Sequence, residues 1–268
     1  MTSADVSLLP GSERIAALQA EERQQKDNLC GCFWAALVLR AHGFAEIEQD
    51  DVALSAGSLL PHPSDDDVPP GATPRLDYRL PIPVVEEHAI TGTGEPGLAR
   101  AITELSGKAL AALPVAGPWT GESVLALLGA AAEGAGTSLI ANVRTGRFWG
   151  SRAPVALLLA ALAGHEVEGP PPDWDVGHFV TLAGALHGPG ASLVLVGDTY
   201  QELGLGGYYL QPPAAVAAAL ERGDGREGGV LCVCPAEAEE RLRARLESAG
   251  FVLRHWDNGT PDRGREAS

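Results

Sequence analysis

The 268-residue sequence is short of basic residues: 19 Lys and Arg stand against 35 Asp and Glu, a formal net charge of −16. A surface with that balance repels phosphate backbones and anionic lipid, so nucleic acid and membrane surfaces are not expected as partners, while cationic peptides or amines remain open. Long hydrophobic runs are missing too. The longest, Ala153 to Gly164 (APVALLLAALAG), has twelve residues, short of the roughly 20 that cross a bilayer. The segment MTSADVSLLPGSER has no basic stretch followed by an apolar run, so no signal peptide is read and a cytoplasmic location is expected. Only four cysteines occur, which argues against a disulfide framework and for reduced thiols. What is present, 45% hydrophobic and 20% charged residues, belongs to a globular protein rather than an acidic disordered tail.

Along the chain, SERIAALQAEERQ (12–24) predicts a short amphipathic helix with Ser12 as its cap. CGCFWAALVLRAHG, from Cys30 to the stop at Gly43, predicts a helix deep in the core. The stretch 58–83 holds seven prolines and the Asp65, Asp66, Asp67 run; it is read as a long surface loop without regular structure, either a lid over a cleft or a tolerated insertion. Helical patterns follow at Glu95 to Leu113 and Glu122 to Glu133, then a strand at Ser138 to Val143 and a helix at 153–163. HFVTLAGAL (178–186) and SLVLVGDTY (192–200), separated by HGPGA, carry a hairpin signature. The tail predicts strand (Gly229 to Cys234), helix (Pro235 to Ala249) and strand (Phe251 to Trp256). The class is α+β, helices first and an antiparallel sheet later. One domain over 1–268 is expected, with a core at about 12–235 and a strand–helix–strand extension at 229–258; neither a repeat nor a linker divides it.

Three segments carry chemistry together. Cys30 opens a buried helix, where unsatisfied N–H groups and the positive end of the dipole favour the reactive thiolate. His178 starts one strand and Asp198 ends the next, so that the imidazole can take and return a proton while the carboxylate fixes its tautomer. Gln24 lies six positions before Cys30.

In these residues, QQKDNLCG, then GHFVTLAG, then LVLVGDTY, the sequence resembles the papain-like cysteine peptidases, with the closest likeness to the bacterial branch of double-glycine leader peptidases. The likeness covers about 20–43 and 138–211. It implies a helix bundle packed against an antiparallel sheet, with Cys30 as nucleophile, His178 as general acid/base, Asp198 as orienting residue and the Gln24 amide as an oxyanion donor beside the Cys30 N–H. The implied reaction is acyl transfer from an amide or peptide to the thiol. Water as final acceptor gives a hydrolase; another acceptor gives an acyltransferase, as in tailoring enzymes of the same fold.

Each residue has a rival reading. Asp175, in DWDVGH, competes with Asp198 as orienter, and Gln25 competes with Gln24 as donor. Asp175, Trp174 and Trp149 are candidates to line a substrate cleft, although a loop tryptophan anchored on the core is the default. Cys32 faces away from Cys30 on the helix and is assigned to packing. The pairs Cys30, Cys32 and Cys232, Cys234 raise a non-enzymatic, zinc-structured protein as a further alternative; the tight CxC spacing and the strand-like GVLCVC run argue against it. The remaining histidines lack metal-like spacing, and GTGEPG and GLGGYY lack the strand–loop–helix context of a phosphate site, so neither a metal nor a cofactor is expected.

Overall fold

The structure, a computed structural model, describes residues 5–62, 68–134 and 136–262. Its α+β character is as expected, but the arrangement is a sheet clad on both faces. The strands are β1 (Asp5–Leu8), β2 (Leu60–Pro61), β3 (Val84–Val85), β4 (Leu110–Ala116), β5 (Ser138–Arg144), β6 (Gly177–His187), β7 (Ser192–Gly197), β8 (Tyr208–Gln211), β9 (Gly229–Pro235) and β10 (Val252–Leu253). The main sheet runs β10-β4-β9-β5-β6-β7-β8, and every pairing in it is antiparallel. The long β6 shares one edge: residues 177–181 pair with β5 and residues 184–187 with β1. At the bulge beside Gly184 the backbone of β1 comes so close that a Cβ would stand 2.3 Å from the Ser7 carbonyl oxygen, so a side chain there would prise β1 away.

Helices α1 (Ser12–Glu22), α2 (Cys30–Ala41), α3 (Gln49–Ala56) and α4 (Glu95–Leu105) belong to one face, where Phe33, Trp34 and Ile102 pack with Ile140, Phe179, Leu231 and Val233. Helices α5 (Gly121–Ala132), α7 (Pro213–Glu221) and α8 (Glu239–Ser248) cover the other, over Val115, Val143, Val180, Val230 and Cys232. The short α6 (Val155–Leu162) lies at β7. Strand β9 shows the period of two: Val230, Cys232 and Cys234 turn to one core, Leu231 and Val233 to the other. A strand buried on both faces reads as an unbroken apolar run, and β9 is one. It lies in the middle of the sheet between β4 and β5, so the segment expected to begin a C-terminal extension is central to the fold.

Other expectations change. The helix read as Glu95 to Leu113 stops at Leu105, because Gly107 and Lys108 take positive φ and turn the chain out of the helical path into β4. Ser12 is not the side-chain cap of α1; its hydroxyl donates to the Ala183 carbonyl. Elements β1, α3, β8 and α7 lie where the sequence pattern predicts none, although Glu48 and Asp51 form a capping box at α3. Within 58–83, Asp65 to Asp67 lie outside the described residues. The later part of that segment is fastened to the chain just before Cys30: Arg75 Nη1 donates to Glu22 Oε1 (3.0 Å) and Gln24 O (2.9 Å), Tyr78 Oη to Asp27 O (2.8 Å), and Lys26 Nζ to Asp77 O (2.9 Å). Among the described residues no helix is long and apolar enough to cross a membrane.

Beneath this strap lies a buried ion pair, Lys26 Nζ to Asp50 Oδ2 at 2.8 Å, with both side chains almost wholly out of solvent. The Asp50 carboxylate also accepts the Arg79 N–H, while its Oδ1 has no partner. Breaking such a pair from one side leaves an uncompensated charge. Lys26→Met is therefore expected to lower stability in urea denaturation by about 3–5 kcal/mol; a loss under about 1 kcal/mol would contradict the reading.

Candidate active site

Cys30 reaches its place through a tight turn. Asn28 takes a left-handed conformation (φ 60°), which Asn tolerates better than most residues, and Leu29 N donates to Lys26 O. Helix α2 then begins at Cys30 itself. A Cβ at Gly31 would press within 3.1 Å of both Leu98 and Phe179, so glycine lets the first turn of α2 settle onto β6. The indole of Trp34, one turn on, donates to the Phe179 carbonyl at 3.1 Å. These contacts bring the half-buried Cys30 thiol beside the imidazole of His178, the second residue of β6.

His178 is buried, and its Nε2 meets Asp198 Oδ1 at 3.1 Å. Asp198 follows the last residue of β7, is fully buried, and is held on several sides. Tyr209 Oη donates to its Oδ2 (2.9 Å), Gln19 Nε2 donates to its carbonyl (2.6 Å), and its own N–H donates to Gly207 O (2.7 Å). Burial and the Asp198 charge push the Tyr209 hydroxyl well above the usual phenol range, which keeps it a donor. For His178, burial favours the neutral ring. The charge of Asp198, its hydrogen bond and the Cys30 thiol outweigh this, and the imidazolium is stabilised to about 10.

The proton positions follow from the partners. Nε2 faces a carboxylate and carries a hydrogen, which leaves Nδ1 for Cys30. Thr199 Oγ1 lies 3.3 Å from the same Nε2 and 2.7 Å from Gln25 Oε1. Its hydroxyl hydrogen goes to Gln25, so toward the ring it can only accept. The Gln25 carbonyl oxygen is thereby occupied, and its NH2 group is the end left for another acceptor. The Trp174 ring stands edge-on to the imidazole with centroids 5.0 Å apart, and Tyr200 lies at 6.3 Å on a nearly parallel plane.

The structure thus brings together Cys30, His178, Asp198 and Trp174, and separates the other candidates. Gln24 is turned to the strap, its Nε2 donating to Thr73 O at 2.7 Å. The buried neighbour Gln25 occupies the position beside Thr199; in an extended stretch consecutive side chains face opposite ways. Asp175 does not orient the imidazole: it pairs with Arg144 (Nε to Oδ1, 2.5 Å), and that hydrogen bond holds its carboxyl below the usual range. Trp149 belongs to a separate apolar cluster with Ala161, Leu162 and Leu193, and its backbone is bracketed by the Gln211 amide. Cys32 sits between the hydroxyls of Ser58 and Thr93, and burial pushes its thiol up to about 12. Contrary to a zinc set, Cys232 and Cys234 lie in the core on the opposite side of the sheet from Cys32, so the four thiols do not converge.

Sequence reasoning missed Gln19, Thr199 and Tyr209. Thr199 was within reach as the residue after Asp198. Tyr209 becomes visible only once the β7–β8 register, Val196 opposite Tyr209, is known, and Gln19 only once α1 is docked.

These features describe an α+β protein in which an antiparallel sheet presents a buried histidine–aspartate pair to a cysteine at a helix N-terminus. The chain belongs to a family of unknown function, DUF6885, whose model matches residues 9–257 and so spans every residue of the site. No curated protein matches the sequence.

A histidine whose folded value lies above its ordinary 6.5 stabilises the fold fully below pH 6.5 and loses that contribution as pH rises toward about 10. NMR titration of the His178 ring is expected to show it protonated at pH 8, with Asp198→Asn moving the midpoint down. A midpoint near 6.5 in the wild type would contradict the pairing.

Proposed function

We propose that the protein is a cysteine-dependent hydrolase of amide or peptide bonds, papain-like in its chemistry. One observation carries the reading: the half-buried Cys30 thiol lies beside the His178 imidazole, which is in turn hydrogen-bonded to the buried Asp198 carboxylate. In the resting pair His178 Nδ1 already holds the proton that the thiol has given up, and the Cys30 thiolate attacks the carbonyl carbon of the substrate. The C–S bond forms and the carbonyl electrons move to oxygen. The N–H of Cys30, at a helix start where N–H groups lack intrahelical acceptors, and the free NH2 of Gln25 stabilise that oxyanion. His178 then protonates the leaving nitrogen, the C–N bond breaks, and a thioester remains. Water, deprotonated by the same imidazole, attacks it; the C–S bond breaks, and the thiolate and the imidazolium are restored.

Asp198 acts throughout on the ring it touches, keeping Nε2–H in place and offsetting the imidazolium charge. Trp174 forms a wall of the site at the imidazole edge. A net charge of −16 favours cationic substrates by long-range attraction. Near the site the bias is weaker, because Asp175 is neutralised by Arg144 and Asp173 accepts the Ser151 N–H.

The test is turnover of a pool of fluorogenic peptide amides. Cys30→Ala is expected to abolish it, by at least about a thousandfold. Gln25→Ala is expected to lower kcat by about 10²–10³, the usual cost of one oxyanion donor, and Gln24→Ala to leave kcat nearly unchanged. Full activity in Cys30→Ala overturns the proposal. Equal losses in the two glutamine variants overturn the assignment of Gln25. Acid quenching during turnover should trap a peptidyl group on Cys30, and a small acyl group from a carrier would instead mark an acyltransferase.

A further inference from the structure

Apart from the thiol site, the loop between β4 and α5 and the loop between α7 and β9 flank an open surface pocket of about 310 Å³, lined by Gly117, the buried Trp119 and the half-exposed or exposed Glu221, Arg226, Glu227 and Arg254. Trp119 is only 7% exposed, yet its indole Nε1–H has no acceptor. Native structures seldom bury such a donor unpaired. The space in front of it is kept open by Gly117: a Cβ at this position would stand 3.1 Å from Nε1 and 3.2 Å from Glu221 Oε1. Indole hydrogen and carboxylate oxygen therefore border the same opening.

The charges around the pocket are informative in what they leave over. Arg254 and Glu227 close on each other at 2.8 Å. Arg226 donates from Nη2 to the Ala89 carbonyl, and Glu221 accepts the Trp119 N–H at 2.6 Å. Neither has an oppositely charged side chain at ion-pair distance among the described residues. One cation and one anion remain without an oppositely charged partner, and one neutral donor, the Trp119 indole, without an acceptor. A phosphate would meet Glu221 unfavourably, a metal ion would meet Arg226, and an apolar ligand would satisfy none of the three.

We propose that this pocket binds a free α-amino acid. Its carboxylate accepts from the Arg226 guanidinium and from Trp119 Nε1–H, and its ammonium group faces Glu221. The volume lies at the small end of ligand sites, about 300–1,000 Å³. The inference does not rest on the chemistry of Cys30.

The test uses the indole region of the ¹H–¹⁵N spectrum of the full chain, where the five tryptophans give five cross-peaks and Trp119→Phe assigns one. Each common L-amino acid, sodium acetate and methylammonium chloride are titrated separately. At least one amino acid is expected to move the Trp119 peak saturably at millimolar concentration, with acetate and methylammonium weaker by about tenfold or more. Arg226→Gln and Glu221→Gln should each weaken that binding by about tenfold or more, with the other indole peaks unmoved as a check on folding. If no amino acid shifts the peak, or acetate binds as tightly as the amino acid, or neither variant changes the affinity, the proposal is overturned; the wild-type titration decides the first two by itself.

Discussion

The carboxylate of Asp198 is the point on which the rest of the site depends. It is fully buried, where an isolated charge would be expelled or neutralised. It stays because the protein surrounds it: Tyr209 from β8 on one oxygen, His178 from β6 on the other, and Gln19 and Gly207 on its backbone. Three strands and helix α1 must be in register for those partners to meet. Among the described residues the imidazolium of His178 is the one counter-charge in direct contact with it, and the pairing holds the ring's proton well above the ordinary range. A histidine so placed is well suited to face a thiol, and α2 is built to bring one. Gly31 permits the approach, Trp34 locks it to β6, and the turn at Asn28 aims the first residue of the helix.

The few residues before Cys30 join the two halves of the molecule. Gln24 bridges to Tyr200 and Gln25 to Thr199, on the chain that leaves Asp198, while Lys26 is paired with Asp50 beneath the strap formed by 75–79. Helix face and sheet face are thus tied at the place where the chemistry is proposed to occur. The hydrogen bonds at this tie constrain one another: Thr199 donates to Gln25, which leaves the Gln25 NH2 group, and His178 Nε2 faces Asp198, which leaves Nδ1. One arrangement of hydrogens satisfies all of them.

Much of this was legible in the residues and some of it was not, for identifiable reasons. Cys30, His178 and Asp198 could be found because each sits at the end of an element whose periodicity is strong: an apolar helix and two β-branched strands. The choice between Gln24 and Gln25 could not be made, because it depends on which way an extended stretch is rotated, and that is set by its pairing with 199–200 in the distant hairpin. Residues 106–113 fit a continued helix as well as a strand, since alanine and leucine suit either period, although Gly107 speaks for a break. The tail looks like an appendage in the sequence because sequence order hides spatial order: β9, late in the chain, is inserted between β4 and β5. Tyr209, Thr199 and Gln19 are ordinary residues whose roles come only from tertiary neighbours.

The central claim is that Asp198, through His178, sets the reactivity of Cys30. The most direct measurement is the rate of carbamidomethylation of the native protein by limiting iodoacetamide, followed by mass spectrometry, in the wild type and in Asp198→Asn. The account predicts a single adduct, on Cys30, with Cys32, Cys232 and Cys234 protected by burial, and a rate lower in Asp198→Asn by about tenfold or more. Equal rates in the two proteins, or labelling spread evenly over the four cysteines, would contradict it.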